Sequence, residues 1–133
     1  AYFLLVEGRY QEALALAQED DNEIWGPLLS LLALYKTGEV GEADRLLVTF
    51  IEDHHEFWAY QIAEAYSWRG DTDKAYEWLE KALSYRDPGL ANLLTDHALN
   101  GIKSDPRWEP FLDKVGLLEA WRQMPEKYKR LPQ

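Results

Sequence analysis

The stretch that decides the fold is EAYSWRGDTDKAYEWLEKAL, residues 64–83. On both sides of its Gly70-Asp71 break, apolar side chains recur every three or four residues, which is the period of an amphipathic helix. The stretch therefore predicts two antiparallel helices joined by a tight turn. Because a single pair of this kind cannot bury its apolar faces alone, we expect stacked neighbours elsewhere in the chain.

Two further glycines indicate where those neighbours lie. Gly8 and Gly38 each follow a helical apolar run, as Gly70 does. A glycine at the end of a helix lets the chain reverse direction at low cost. An alanine stands five residues after each glycine, at Ala13, Ala43 and Ala75. Since a small side chain one turn into the second helix allows two helices to approach closely, we expect three helix pairs.

Strands are not expected, because strict alternation of apolar and polar residues is scarce in this sequence. The predicted fold is all-α, with helices near 1–7, 10–20, 23–37, 40–53, 54–69, 72–86, 88–101, 105–115 and 117–126. Three predicted starts carry acidic caps: Asp53 with Glu56, Asp87 before Pro88, and Asp105 before Pro106. Pro27 and Pro110 have no backbone N–H, yet they stand at positions in the helices predicted near 23–37 and 105–115 where that N–H would already be needed for a helical hydrogen bond. A later start of both helices therefore stays open.

The pair at residues 64–83 resembles a tetratricopeptide repeat (TPR). This family sets an aromatic residue four positions before the turn glycine, alanines five and twelve after it, and a proline at the close of a unit of about 34 residues. Here those positions are Tyr66, Gly70, Ala75, Ala82 and Pro88. The earlier units match in part, with Tyr35, Gly38 and Ala43, and with Gly8, Tyr10 and Ala13, but Phe50 replaces a small residue.

That resemblance covers residue 1 to about residue 88 and implies a single domain over 1–133. It implies a superhelix of stacked antiparallel helix pairs, a TPR-like solenoid, with repeat units at about 1–21, 22–53 and 54–87. The segment SDPRWEPFLDKVGL, residues 104–117, is similar to the tail that closes many bacterial TPR arrays attached to signalling or DNA-binding domains. It implies capping helices over about 88–126, followed by a tail over 127–133.

The start of the chain and its composition add further expectations. The opening run AYFLLV looks like a helix cut partway along its length, so we expect a fragment of a longer protein. The resemblance to bacterial TPR arrays implies a bacterial protein, and we expect it in the cytoplasm. The formal charge of −10 disfavours nucleic acid and anionic lipid as partners. A small basic cluster, Lys127, Lys129 and Arg130, is interpreted as a solvated tail. No apolar run approaches the roughly 20 residues of a membrane span.

Neither a metal site nor a catalytic site is predicted. His54 and His55 are adjacent and diverge by about 100° on a helix, so they cannot chelate one ion together. Asp71 and Asp73 resemble the opening of a calcium loop, but Ala75 stands where a third oxygen ligand is needed. The chain carries no phosphate-binding loop and no nucleophile motif. We therefore expect no cofactor and no enzyme, an interpretation that a buried carboxylate facing His97 or Tyr60 in a cleft would reverse.

The predicted binding residues come from a second apolar stripe on the first helix of two pairs. In a TPR stack, the resemblance implies, these first helices line a concave groove. Two interpretations of the stripes stay open: they pack neighbouring pairs together, or they form a surface that binds a partner. The candidate partner-binding residues are Trp25, Leu28, Leu32, Tyr35, Phe57, Tyr60, Glu64 and Trp68.

The sequence thus favours a non-enzymatic protein–protein interaction scaffold. Its groove would bind a peptide segment, a domain of the parent chain, or a second copy, with self-association preferred. The alternative is a small-molecule sensor domain attached to a signalling or DNA-binding output domain. An open groove would favour the scaffold, whereas an enclosed cavity with a few converging polar groups would favour the sensor.

Overall fold

The computed structural model describes residues 1–129, and these residues contain α-helices and 3₁₀ helices but no strand. The α-helices are α1 Tyr2–Val6, α2 Tyr10–Glu19, α3 Trp25–Thr37, α4 Val40–His54, α5 Ala59–Arg69, α6 Thr72–Ser84, α7 Trp108–Val115, α8 Leu118–Gln123 and α9 Glu126–Lys129. Two 3₁₀ helices, Pro88–Asn92 and His97–Ile102, lie between α6 and α7. The all-α prediction is confirmed. Within the described residues, no helix has the length and apolar character needed to cross a membrane.

Contacts divide the chain into two compact units, Ala1–Glu56 and the residues from Phe57 onward. The first unit contains α1 to α4, and the second contains α5 to α9 with both 3₁₀ helices. The division falls close to the predicted start of the third repeat, near residue 54. Arg130 and the rest of the predicted tail, 130–133, lie outside the described residues.

In the first unit, consecutive helices pack against one another: α1 on α2, α2 on α3, and α3 on α4. Gly8 and Gly38 have φ angles of +80° and +91°, a conformation in which glycine carries no steric penalty. Ala13 and Ala43 are fully buried. The turn glycines and the small residues predicted from their spacing are therefore confirmed in this unit.

In the second unit, α5 and α6 form the predicted pair around Gly70, whose φ is +93°. Ala75 and Ala82 are both 0% exposed, as close helix packing requires. The other face of α5 is covered by the two 3₁₀ helices. The large side chains at the centre of this core include Leu79, Leu99, Trp108 and Phe111, so residues after 88 complete the core that the helix pair begins.

Several predicted boundaries move. The capping box at Asp53 and Glu56 is wrong, because α4 continues through His54 and α5 begins only at Ala59. The later starts left open for the two proline-containing helices are confirmed. Pro27 and Pro110 are each the third residue of their helix, within the first turn, where backbone N–H groups have no partner in the helix. The last predicted helix, 117–126, is interrupted at Met124 and Pro125.

The single α-helix predicted over 88–101 is wrong. Two aspartates each bond a backbone N–H two residues onward: Asp87 accepts from Gly89 at 2.9 Å and Asp96 accepts from Ala98 at 3.0 Å. These local bonds start two separate short helices and compete with a continuous helical ladder. The segment consequently follows the surface of α5 as two 3₁₀ helices.

Candidate functional site

The four candidate residues on α3 divide between surface and interior. Trp25, the first residue of the helix, is 41% exposed, whereas Leu28 and Leu32 are each 2% exposed. Tyr35 is partly buried, and its hydroxyl donates a hydrogen bond to Asp44 at 2.6 Å. Of these four residues, Trp25 is therefore the most exposed.

The four candidates around α5 divide in the same way. Phe57, just before the helix, is 71% exposed, but Tyr60 is 1% exposed. Glu64 and Trp68 are partly buried, and the Trp68 ring lies 6.2 Å from the ring of His97 in the second 3₁₀ helix. On α5, the second apolar stripe thus serves chiefly to pack the helix against the 3₁₀ segments, and Phe57 remains open.

Tyr60 is held in place by two carboxylates. Its hydroxyl donates to Asp96 Oδ2 at 2.6 Å, and its backbone N–H donates to Asp87 Oδ2 at 3.3 Å. Asp87 also accepts a 2.6 Å hydrogen bond from the Tyr85 hydroxyl. A buried carboxylate does face Tyr60, as the enzyme alternative requires. Both Asp96 oxygens are engaged, with Tyr60 and with the cap of the second 3₁₀ helix, so a packing role accounts for this carboxylate.

Glu64 lies one turn along α5 from Tyr60 and has an altered acidity. Burial raises the pKa of its carboxyl well above the usual range, and the charge of Asp96, a hydrogen bond with Asp96 and the charge of Asp87 act in the same direction. A raised pKa favours the protonated carboxyl, whose O–H can donate a hydrogen bond to Asp96. The same shift weakens the expectation that Glu64 attracts a basic peptide side chain by charge, because it disfavours the ionised form.

The histidines near the end of α4 have structural contacts. The ring of His54 lies 5.0 Å from that of Phe50, and His55 Nδ1 lies 3.0 Å from the Ile51 carbonyl oxygen. Across residues 1–129, no group of three or more His, Asp or Glu side chains is placed to hold a metal ion.

The first unit combines exposed apolar side chains with a high negative charge. It contains twelve Asp and Glu residues against three Lys and Arg, a formal charge of −9, whereas the remainder of the chain is nearly balanced at −1. Its large apolar side chains that are at least 40% exposed are Phe3, Val6, Leu16, Trp25, Val40 and Val48. Sequence reasoning missed this asymmetry, because it appears only once the boundary at Glu56 is known.

The second unit contains a cavity of about 600 Å³ beside α7, α8 and α9. Two tryptophans line it, Trp108 and Trp121, whose rings meet edge to face with centroids 5.6 Å apart. Lys103 and Lys129 line it as well, with their ammonium groups 6.0 Å from the Trp108 ring and 5.0 Å from the Trp121 ring. The lining residues come from two nearby stretches, 100–109 and 121–129, and no recognised motif in either stretch predicted a cavity between them.

Comparisons with protein families, with curated proteins and with solved structures found no match to this chain.

Proposed function

We propose that this chain is a TPR-like interaction module whose first unit binds a basic, apolar segment of another protein. The observation that carries this proposal is the coincidence, in residues 1–56, of six exposed large apolar side chains with a formal charge of −9. Exposed aromatic and apolar side chains supply contact energy on binding, and the charge of the unit selects the sign of the partner.

The TPR-like arrangement is supported by local features that recur in both units. Gly8, Gly38 and Gly70 all have positive φ angles, and the alanine five residues after each is completely buried. Tight turns and small residues at helix contacts are what stacked helix pairs need. A solenoid of such pairs presents extended surfaces that proteins of this architecture use for binding.

The aromatic anchors of the proposed surface are Phe3 on α1 and Trp25 on α3, two helices that contact each other. They are 70% and 41% exposed. Large aromatic side chains dominate many interfaces because they provide a wide contact area at a small cost in conformational entropy. A partner therefore needs apolar side chains to cover these two rings.

Charge favours one of the partners that the sequence left open. A segment rich in Lys and Arg is attracted to a unit of charge −9, whereas the same surface of a second copy is repelled by it. Self-association through this surface is thus disfavoured. A basic segment of another protein, or of a longer parent chain, fits better.

The test is selection from a random peptide library on the immobilised protein, followed by affinity measurements on the enriched peptides by fluorescence anisotropy. Enriched peptides should carry net positive charge and apolar residues, and Trp25→Ala should weaken their binding by about tenfold, or roughly 1.4 kcal/mol. Tyr128→Ala is the matched control, because Tyr128 is an exposed aromatic residue of the second unit. Enrichment of acidic or uncharged peptides, or equal affinity for both variants, would refute the proposal.

A further inference from the structure

The cavity beside α7 contains a lysine whose positive charge is incompletely compensated. Lys103 is only 9% exposed, and its ammonium group donates one hydrogen bond, to the Leu94 carbonyl oxygen at 3.3 Å. No carboxylate among residues 1–129 lies within ion-pair distance of it, although Asp96 attracts it from farther away. A buried ammonium group normally has a close anionic partner, because burial without one is costly.

A second buried donor lines the same cavity. Trp108 is 1% exposed, and its indole N–H has no hydrogen-bond acceptor among the described residues. Buried polar groups are nearly always paired in folded proteins, and an exception calls for an explanation. Two donors that lack full partners, Lys103 and Trp108, therefore line one space.

The carboxylates around the cavity already have cations of their own. The pairs are Asp105 with Arg107 at 2.9 Å, Glu109 with Arg122 at 3.4 Å, and Glu126 with Lys129 at 3.6 Å. These pairs neutralise the acidic rim locally. Lys103 thus remains the cation of this cavity with a charge left to be matched, in spite of the overall charge of −10.

From this juxtaposition we propose that the cavity binds a small organic acid with a flat apolar body. Its carboxylate would accept a hydrogen bond from the Lys103 ammonium group and a second one from the Trp108 indole N–H, for which the buried Trp108 side chain has to shift toward the cavity on binding. Its apolar body would lie beside Trp121, which lines the same space. A volume of about 600 Å³ suits a ligand of this size. This site lies wholly in the second unit and does not depend on the protein-binding surface of the first.

Matched probes test the carboxylate directly. Phenylacetate and indole-3-acetate should bind at least about tenfold more tightly than phenylacetamide and indole-3-acetamide, which keep the shape but lack the charge. Binding is followed by two-dimensional NMR on ¹⁵N-labelled protein, in which the Trp108 indole N–H signal should shift on binding. Tryptamine, a cation on the same ring system, should bind more weakly than indole-3-acetate.

Variants then assign the contact to Lys103. Lys103→Met keeps an unbranched side chain and should abolish the preference for acid over amide, because the ammonium group is removed. The control is Lys114→Met, since Lys114 pairs with Glu80 outside this cavity and is more than half exposed. Unchanged amide dispersion in the NMR spectrum shows that each variant is folded. If Lys103→Met fails to fold, Trp108→Phe provides a second test, because it removes the indole N–H donor, together with part of the ring, and should weaken binding of the acids.

Three results would overturn the proposal. The first is equal affinity for acid and amide, and the second is tighter binding of tryptamine. The third is the absence of any binding up to about 10 mM, which is weaker than a ligand of this size reaches in a suitable pocket.

Discussion

Substitution of Gly89 by alanine should destabilise the second unit, for a reason that can be worked from distances. A Cβ atom at this position would lie 2.4 Å from Cδ1, 2.6 Å from Cγ and 2.9 Å from Cβ of Tyr60. Carbon atoms in contact prefer about 3.5–4.0 Å, so either the Tyr60 ring or the first 3₁₀ helix must move by about 1 Å.

Neither group moves easily. The Tyr60 ring is fixed by its hydrogen bond to Asp96, and the Gly89 backbone N–H is bound to Asp87. Asp87 in turn also bonds the Tyr60 backbone, so one carboxylate links the two groups that would clash. Overpacking a well-filled core costs about 1–3 kcal/mol, and we expect Gly89→Ala near the upper end, at about 3 kcal/mol.

Urea unfolding followed by tryptophan fluorescence measures this loss, because five of the six tryptophans lie in the second unit. Gly70→Ala is the matched control. Gly70 has a φ of +93° but no atom within 4 Å of an added Cβ, so its substitution costs only backbone strain, about 1–2 kcal/mol. If Gly89→Ala is no more destabilising than Gly70→Ala, the close packing of Gly89 on Tyr60 is incorrect.

Three further predictions concern helix packing and acidity. Ala75→Leu should lower the free energy of unfolding by about 1–3 kcal/mol through overpacking, since Ala75 is 0% exposed, whereas Glu77→Leu on the exposed face should cost little in the same urea titration. Because the pKa of Glu64 is raised in the folded protein, its protonation stabilises the fold below the pKa of the unfolded chain, about 4.5, and that contribution is lost as pH rises through the folded pKa. Glu64→Gln, which mimics the protonated acid, should therefore be more stable than the original protein at neutral pH and show a flatter pH profile of urea midpoints. An unchanged profile would contradict the raised pKa of Glu64. Burial lowers the pKa of Lys103 to about 8, so the affinity for indole-3-acetate should fall as pH rises through about 8, by about tenfold per unit beyond it, and a constant affinity up to higher pH would exclude Lys103 as the anion contact.

Local rules predicted the helix pairs well because the decisive residues act over a few positions. A turn glycine with positive φ and an alanine five residues later depend on the backbone nearby, and Gly70 and Ala75 are placed as their spacing predicts. The same rules were wrong for residues 88–101. There, Asp87 and Asp96 act both as local caps and as partners of Tyr60, which lies 27 and 36 residues away. A sequence pattern shows the first role and conceals the second.

The candidate binding residues illustrate a different limit. A helix that is apolar on two faces has the same sequence pattern whether the second face meets a partner or another part of its own chain. On α5 the second face meets the 3₁₀ helices, which buries Tyr60, while Phe57 lies before the first turn and stays exposed. The cavity lysine is still harder to foresee, because a lysine between a 3₁₀ helix and an α-helix has the same sequence pattern whether its ammonium group lies in solvent or is buried, as that of Lys103 is.

Salt separates the two proposed binding activities. Binding of a basic peptide to a unit of charge −9 depends on charges exposed to solvent, which are screened over about 8 Å at physiological ionic strength. Its affinity and its association rate should therefore fall steeply as sodium chloride rises from about 50 mM to about 500 mM. The contact of an organic acid with Lys103 lies in the interior, where screening is weak.

Affinity for indole-3-acetate should accordingly change by no more than about twofold over the same range of salt. Both titrations can be made on one preparation of the protein, with the enriched peptide and the acid as separate probes. A salt-insensitive peptide would remove the electrostatic basis of the proposed function and leave the cavity proposal intact. An organic acid released by salt would mean that it is held by solvent-exposed cations and not by the buried Lys103. The assignment to Lys103 would then fail, while peptide binding by the first unit stood.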